Sequence, residues 1–508
     1  MTQTSQFEEN IITTEQVAQH NTRESCWIIV HGKVYDVTEF LPEHPGGSRI
    51  ILKYAGKDAT AEYDPIHPPD AITENLPPSK HLGVVDPASV EEKVTEMTEE
   101  EKQVAQRHQS KPPLSECLSL HDIETVARYV MADKAWMYYS SGADDEMTMR
   151  ENHNAYHRIW FRPRILRDVT EVKFDTKILG HSTQMPLYIT ATALGKLGHP
   201  DGELNLTRSA AKNGIIQMIP TLASCSFDDI RGAATPDQVQ FLQLYVNKNR
   251  EVTERIVRRA EKSGIKGLFV TVDAPQLGRR EKDMRMKFDD VGSKEQAESG
   301  ENVDRSQGAA RAISSFIDPS LNWNDLKWIF SITKMPIILK GVQCWQDAVM
   351  AAKSGCAGVV LSNHGGRQLD FAPSGIEILP EVMAALKHAN VDSSSFEVYV
   401  DGGVRRASDI LKAVALGAKA VGIGRPFIYA YSAYGEAGVN RAMDILRDEF
   451  EMCMRLLGAR SLDEVTPEMV NAANLTNVDI PRDYLFHSNY ERLNGLHGKI
   501  DVTRGSKL

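Results

Sequence analysis

A histidine and an arginine stand three residues apart, as His364 and Arg367, with two glycines between them. The apolar run Gly358–Leu361 before them is short, β-branched and bounded by glycine, which predicts a buried strand that ends in this turn. The two glycines let the backbone approach a ligand closely. A titratable base and a fixed cation at the end of a buried strand predict a site for a substrate with a carboxylate. A buried strand followed by a polar turn without a function would have the same sequence pattern. Other residues must therefore show whether this segment forms a site.

Eight strand-like runs alternate with helical stretches between about residue 113 and residue 480. Their interiors are apolar rather than alternating, which is typical of parallel strands covered on both faces. This pattern predicts an α/β fold, a (β/α)8 TIM barrel, because no Gly-x-Gly-x-x-Gly turn of a doubly wound sheet follows an early strand. The predicted strands are Pro186–Ala193, Ile215–Thr221, Gln240–Val246, Gly267–Pro275, Pro336–Val342, Gly358–Gly365, Glu397–Gly403 and Ala420–Pro426.

Chemistry in such a barrel belongs at the C-terminal ends of the strands. The last two ends carry Gly402 and Gly403 with Arg405, and Gly424 with Arg425. Backbone N–H groups and arginines after strands seven and eight form the usual phosphate site of a barrel, so a phosphorylated cofactor is expected. Polar side chains follow most of the other strands: Thr192, Gln243, Tyr245, Thr271, Asp273, Arg280, Lys340, His364 and Arg367.

A separate unit precedes the barrel. Two short strands, Trp27–Val30 and Lys33–Val37, are followed by His44 in a His-Pro-Gly-Gly turn, and His67 lies 23 residues further on. Two imidazoles on separate loops suit the two axial positions of a haem iron, although they would also fit two turn histidines without a metal. This unit resembles a cytochrome b5 domain, which implies haem b held by His44 and His67.

The barrel segment also resembles a known family. Ala135–Ala143, Ser362–Asp370 and the strand ends are similar to the FMN-dependent 2-hydroxy-acid dehydrogenases and oxidases. With the haem unit in front, residues 11–490 are similar to the cytochrome-linked L-lactate dehydrogenases. The resemblance implies oxidation of L-lactate to pyruvate by FMN, electron transfer through haem b to cytochrome c, and a homotetramer.

The resemblance also implies residue roles. His364 would be the catalytic base and Asp273 the carboxylate that orients it. Tyr138 and Arg367 would hold the substrate carboxylate and Tyr245 the substrate hydroxyl. Arg280 would lie near the same site, and the pair Ala193 and Leu222 would leave room for a small side chain. The implied FMN contacts are Ala191, Thr192, Ala193, Gln243, Thr271, Lys340, Asp401, Gly402, Gly403, Val404, Arg405, Gly424 and Arg425.

One position departs from the family pattern. Pro220 stands where members often carry serine or another small hydroxyl residue. Proline has neither an N–H group nor a hydroxyl, so no flavin contact of that kind is expected there.

Composition limits the remaining possibilities. The net charge of −11 argues against a nucleic-acid binder, and no apolar run is long enough to span a membrane. Six scattered cysteines without metal-type spacing favour a reducing compartment. The expected domains are residues 9–86 for haem, an acidic linker at 87–112, the barrel at 113–480 and a polar tail at 481–508.

The C-terminal Ser506-Lys507-Leu508 matches a peroxisomal address. The cytosol and the mitochondrial intermembrane space are alternatives, although no transit peptide is visible. A peroxisomal location would suit a second function, a 2-hydroxy-acid oxidase that passes electrons to oxygen. A non-catalytic haem and flavin electron carrier is the third possibility.

Overall fold

A computed structural model describes residues 10–44, 48–63, 71–86, 89, 98–286, 293, 296 and 308–477. The chain divides into two compact units, Met1–Thr98 and Glu99–Leu508. His67, the C-terminal Ser506–Leu508 and the predicted tail 481–508 lie outside the described residues.

The first unit contains a mixed sheet around which short helices pack. Trp27–Val30 pairs antiparallel with Lys33–Asp36 across a turn at His31 and Gly32, whose φ angles of 50° and 71° are typical of a tight hairpin. Val30, Tyr35 and Leu41 are among the buried side chains on one side of this sheet. The strands are Ile11–Ile12, Trp27–Val30, Lys33–Asp36, Lys57–Asp58 and His81–Val85, and the helices are Thr14–Ala18, Ser48–Lys53, Thr60–Tyr63 and Ala71–Asn75.

The second unit is a closed barrel of parallel strands, as predicted. Most strands end earlier than the sequence pattern suggested: the sixth stops at Leu361, because the chain leaves the hydrogen-bonded ladder there to form the turn that carries His364. The strands, in order around the barrel, are Leu187–Ile189, Ile216–Pro220, Gln240–Leu244, Leu268–Thr271, Ile337–Val342, Gly358–Leu361, Glu397–Asp401 and Ala420–Ile423.

Helices cover the outside of the barrel and supply the segments before it. Several begin with a side-chain cap, for example Ser119 accepting from the Asp122 backbone N–H at 3.2 Å. The last helix breaks at Tyr434 and Gly435, whose backbone angles are not helical. The helices are Glu99–Ser110, Leu120–Val130, Asp133–Ser140, Met147–His157, Leu204–Asn213, Phe227–Gly232, Arg250–Lys262, Glu281–Met284, Gly308–Ser314, Leu326–Ile332, Trp345–Lys353, Gly375–His388, Ala407–Ala415 and Arg425–Leu457.

The segment proposed as an acidic linker contains the helix Glu99–Ser110, which has no buried residue and belongs to the second unit. Among the described residues, no helix combines the length and the apolar character needed to cross a membrane.

Candidate active site

A cavity of about 1000 Å³ lies at the C-terminal ends of the barrel strands, and this volume includes the space at its opening to solvent. Asp273 lies behind His364 rather than on the cavity wall, and the completely buried Leu222 is not among the lining residues. The role of Leu222 in substrate size therefore stays a prediction. The predicted site residues that line the cavity are Tyr138, Ala191, Thr192, Ala193, Gln243, Tyr245, Thr271, Arg280, Lys340, His364, Arg367, Asp401, Gly402, Gly403, Val404, Arg405, Gly424 and Arg425.

His364 is held from both ring nitrogens. Its Nδ1 lies 2.9 Å from Oδ1 of Asp273, and its Nε2 lies 3.1 Å from the hydroxyl of Tyr245. Its backbone is left-handed, with φ of 61°, which is a strained conformation for histidine. An ionised Asp273 accepts a hydrogen bond from Nδ1–H, so the lone pair of the neutral imidazole is on Nε2, on the cavity side.

The pKa values suit a base. Burial lowers the pKa of His364 from its ordinary value of 6.5, and the Asp273 carboxylate opposes this only in part. Burial acts to raise the pKa of Asp273, but the His364 imidazole and Lys340 outweigh it, so its pKa is lowered. Burial raises the pKa of Tyr245, which keeps its proton. A neutral imidazole thus faces the cavity with an anion behind it.

Gly341 packs directly against the side chain of Asp273, a close approach that the sequence did not reveal. The ladder between the fifth and sixth strands shifts register between Lys340 and Val342, and Gly341 has a φ of 109°. A Cβ at this glycine would stand 2.5 Å from both Cβ and Cγ of Asp273. Only glycine therefore fits here without displacing Asp273.

Two arginines supply positive charge to the cavity wall. Nη1 of Arg367 donates to the carbonyls of Tyr138 at 2.7 Å and Tyr139 at 3.2 Å, while the guanidinium stacks on the Tyr138 ring at 4.8 Å. These bonds use Nη1 and leave Nε and Nη2 for a ligand. Burial, followed by the neighbouring Arg367, lowers the pKa of Arg280 to about 9. Two cations that form no ion pair with any of the described residues predict a site for a carboxylate.

Lys340 provides a further cation, which is buried. Its Nζ lies 2.9 Å from Oδ2 of Asp401 and donates to the hydroxyl of Ser362 at 3.1 Å. Burial acts to lower the pKa of Lys340, but the carboxylates of Asp401 and Asp273 raise it overall. The same Ser362 hydroxyl accepts from the His364 backbone N–H at 3.1 Å. Lys340 and the catalytic turn are therefore linked through one hydroxyl.

The corner formed by strands seven and eight fits a phosphate group. Gly402 and Gly403 have φ of 95° and 80°, and a Cβ on Gly403 would meet the carbonyl oxygen of Asn152 at 1.8 Å. Gly403 therefore packs directly on the Asn152 backbone, and Gly424 precedes the helix that begins at Arg425, whose N-terminal end suits an anion. The Thr190 hydroxyl is buried against the cavity with no hydrogen-bond partner among the described residues, which fits a side chain that hydrogen-bonds a flavin.

The two arginines at this corner are engaged by the protein. Arg425 donates to the carbonyls of Tyr139, Gly365 and Ser141 at 2.8–2.9 Å, which joins the His364 turn to the segment that follows Tyr138. Nε of Arg405 pairs with Glu124 at 3.0 Å. Their phosphate contacts stay a prediction, with their remaining N–H groups as the donors.

Other residues of this site escaped the sequence reasoning. Thr190 and Ser362 adjoin predicted positions, so the strand-end rule could have found them. Asn152 and Asn363 exchange side-chain hydrogen bonds of 2.7 and 2.8 Å across more than 200 residues, and nothing in the sequence signals this pair.

Pro220 ends the second strand opposite Gln243. The next residue, Thr221, donates to the Gln243 carbonyl at 2.6 Å.

Of the two predicted haem ligands, the structure describes His44. Its backbone N–H donates to the Phe40 carbonyl at 3.1 Å, and its half-buried ring packs edge-on against Phe40 with centroids 5.8 Å apart. Phe40 packs in turn on a buried apolar cluster that includes Leu41 and Tyr63. An imidazole beside an apolar cluster fits a haem ligand. Ligation by His67 stays a prediction.

Comparisons with known proteins agree with both units. The model of the FMN-dependent dehydrogenase family matches residues 127–472, and that of the cytochrome b5-like heme/steroid binding domain matches residues 13–94. The chain is 54% identical over 486 residues, 95% of its length and 84% of the relative's, to an L-lactate dehydrogenase (cytochrome) of Wickerhamomyces anomalus. It is 41% identical over 366 residues, 70% of its length and 95% of the relative's, to glycolate oxidase 1 of Zea mays.

A solved structure is similar as well. The flavin-binding domain of baker's yeast flavocytochrome b2 is 48% identical, with a TM-score of 0.69 over 78% of this chain and 97% of that one. The chain therefore belongs to the FMN-dependent dehydrogenase family, as an oxidoreductase that joins an FMN domain to a haem-binding cytochrome b5-like domain.

Proposed function

We propose that this enzyme oxidises L-lactate to pyruvate and passes the electrons through haem b to cytochrome c. The observation that carries the proposal is the hydrogen-bonded set Asp273–His364–Tyr245, whose His364 and Tyr245 line one cavity together with Arg280 and Arg367. Its support in sequence is the match along 95% of the chain to a relative named as a cytochrome-linked L-lactate dehydrogenase.

Substrate binding follows from the charges. The carboxylate of L-lactate accepts hydrogen bonds from the free N–H groups of Arg367, and Arg280 adds a second positive charge. The hydroxyl of Tyr138 completes this end of the site. The substrate hydroxyl then reaches Tyr245 and Nε2 of His364, which already lie 3.1 Å apart. Ala193 on the cavity wall leaves space for a methyl group.

Proton transfer follows from the pKa values. Nε2 of His364 removes a proton from the substrate, and the resulting imidazolium is stabilised by the Asp273 carboxylate on its other nitrogen. FMN, when bound, would accept the two electrons and the second hydrogen that the substrate loses. Lys340 keeps a positive charge at the floor of the cavity, held there by Asp401. Tyr245 keeps its proton and donates to the substrate oxygen.

The residues that would hold FMN divide into two groups. Gly402, Gly403, Gly424 and the remaining N–H groups of Arg405 and Arg425 would bind its phosphate. The strand ends would contact its ring and chain through Thr190, Ala191, Thr192, Gln243, Thr271, Val404 and Lys340.

The activity should depend on pH through His364. The base works only when neutral, so kcat/KM should be constant above the pKa of the free enzyme and fall tenfold per pH unit below it. Because burial lowers the pKa of His364, the inflection should lie below 6.5. Initial rates with L-lactate at limiting concentration, measured from pH 5 to 9 in constant ionic strength, would check this. An inflection above 6.5 would contradict a buried histidine base.

The haem domain separates the dehydrogenase from an oxidase. The match to the maize glycolate oxidase covers 95% of that protein but only 70% of this chain, and the haem-binding domain of this chain occupies residues 13–94. We therefore expect L-lactate to drive cytochrome c reduction much faster than peroxide release. Cytochrome c reduction without oxygen and peroxide release in air, both measured on the same preparation, decide between the two functions.

Replacing His44 tests the electron route. His44→Ala should lose haem b, because one axial ligand is removed, and should reduce cytochrome c at least 100-fold more slowly. Reduction of FMN by L-lactate, followed at its absorbance band in stopped flow, should stay within twofold of the wild-type rate. His388→Ala, an exposed histidine at a helix end, is the matched control. Full cytochrome c activity without haem would contradict the route.

Two further proposals concern location and assembly. The C-terminal Ser506–Leu508 would direct the enzyme to peroxisomes, which removal of these three residues tests in cells by microscopy. A homotetramer is expected from the resemblance to the cytochrome-linked L-lactate dehydrogenases, and light scattering would measure it.

A further inference from the structure

Gln368 spans the loop that carries Asp273 at one end and Arg280 at the other. Its buried side chain donates from Nε2 to the Asp273 carbonyl at 2.8 Å and to the Gln276 carbonyl at 2.9 Å. Its Oε1 accepts from the Gly278 N–H at 3.1 Å and from Nη2 of Arg280 at 3.4 Å. All the strong hydrogen-bonding positions of one amide are thus used on a single loop.

The backbone brings this loop tightly against the His364 turn. Nε of Arg280 donates to the Arg367 carbonyl at 3.2 Å. A Cβ on Gly278 would stand 2.5 Å from the same carbonyl oxygen and 2.6 Å from that of Gln368. The loop therefore packs on the residues next to Arg367, and Arg280 is bonded from two sides by neutral oxygen atoms.

The neutrality of these oxygens matters because Arg280 and Arg367 repel each other. A carboxylate in place of the amide would hold Arg280 equally well, but it would also neutralise it. The carboxylate of Asp283, which also acts on Arg280, accepts from the backbone N–H groups of Ala309 at 3.2 Å and Ala310 at 2.9 Å. The oxygen atoms that bond Arg280 are thus neutral, so its positive charge remains available to attract an anionic ligand.

We infer that Gln368 is a positioning residue for the substrate carboxylate, because its neutral amide holds Arg280 beside Arg367 without neutralising it. The inference rests on the proposed function for the choice of substrate, but the affinity of the site for an anion can be measured without turnover.

Gln368→Glu tests the charge. The new carboxylate should pair with Arg280, so the enzyme loaded with FMN and haem should bind oxalate at least tenfold more weakly, measured by titration of the flavin absorbance. Binding of lactamide, a neutral analogue of lactate, should change less than threefold. In turnover, KM for L-lactate should rise more than kcat falls. Gln368→Met, which removes the amide but adds no charge, should weaken oxalate less than Gln368→Glu does.

Gln346→Glu is the matched control, because it makes the same change at an exposed helix position. If Gln368→Glu binds oxalate within twofold of wild type, or if oxalate and lactamide weaken equally, Gln368 only supports the fold and the inference is wrong. Absence of L-lactate turnover by the wild-type enzyme would instead refute the proposed function, and the oxalate titration would still stand.

Discussion

Replacing His364 by glutamine is expected to lower kcat/KM for L-lactate about 10⁴-fold, while FMN stays bound. Glutamine keeps a polar group near Tyr245 and Asp273 but has no nitrogen that accepts a proton at neutral pH. The substrate would still bind through its carboxylate, since Arg367 and Arg280 are unchanged. The loss should therefore appear mainly in kcat, with KM within about threefold.

Anaerobic stopped flow measures the predicted step most directly, as the rate at which L-lactate bleaches the flavin band. The flavin absorbance and FMN content of His364→Gln should match those of the wild type, which separates lost chemistry from lost cofactor. His388→Gln, at an exposed position, should react normally. A flavin reduction rate within tenfold of wild type would rule out His364 as the base, and failure of the wild type to react would favour the non-catalytic carrier.

Sequence reasoning located the barrel because the strand interiors are mostly apolar rather than alternating, and a closed parallel barrel brings all the C-terminal strand ends to one rim. That rule alone placed Tyr245, Lys340 and His364 in one region before any distance was known. The structure then brought Tyr245 and His364 to 3.1 Å of each other, although 119 residues separate them.

The residues that the sequence did not reveal act through close packing or single hydrogen bonds between distant segments. Gly341 matters because a side chain there would collide with Asp273, and the sequence shows only a glycine inside an apolar strand. Gln368 looks like an ordinary polar residue after Arg367 until its four contacts are seen. The strained backbone of His364 could not be predicted either, because the sequence of this turn is compatible with several turn types.

Arg367 carries the second large expectation. Arg367→Met should lower kcat/KM for L-lactate by about 10³-fold, because removing one partner of a buried charge pair costs roughly 3–5 kcal/mol. Arg367→Lys keeps the charge but has no planar fork, and its ammonium cannot both bond the carbonyls of Tyr138 and Tyr139 and hold the substrate carboxylate at two points. We expect it to recover at most a tenth of the lost activity.

Steady-state kinetics with L-lactate and oxalate distinguish this loss from that of His364. In the Arg367 variants, KM and the oxalate dissociation constant should both rise at least 30-fold, whereas in His364→Gln they should change little. Arg258→Lys, an exposed residue paired with Glu254 on the same helix, should behave like the wild type. If Arg367→Lys were fully active, a point charge would suffice at this position. The carboxylate would then be held chiefly by Arg280, which would make the geometry fixed by Gln368 the main determinant of substrate affinity.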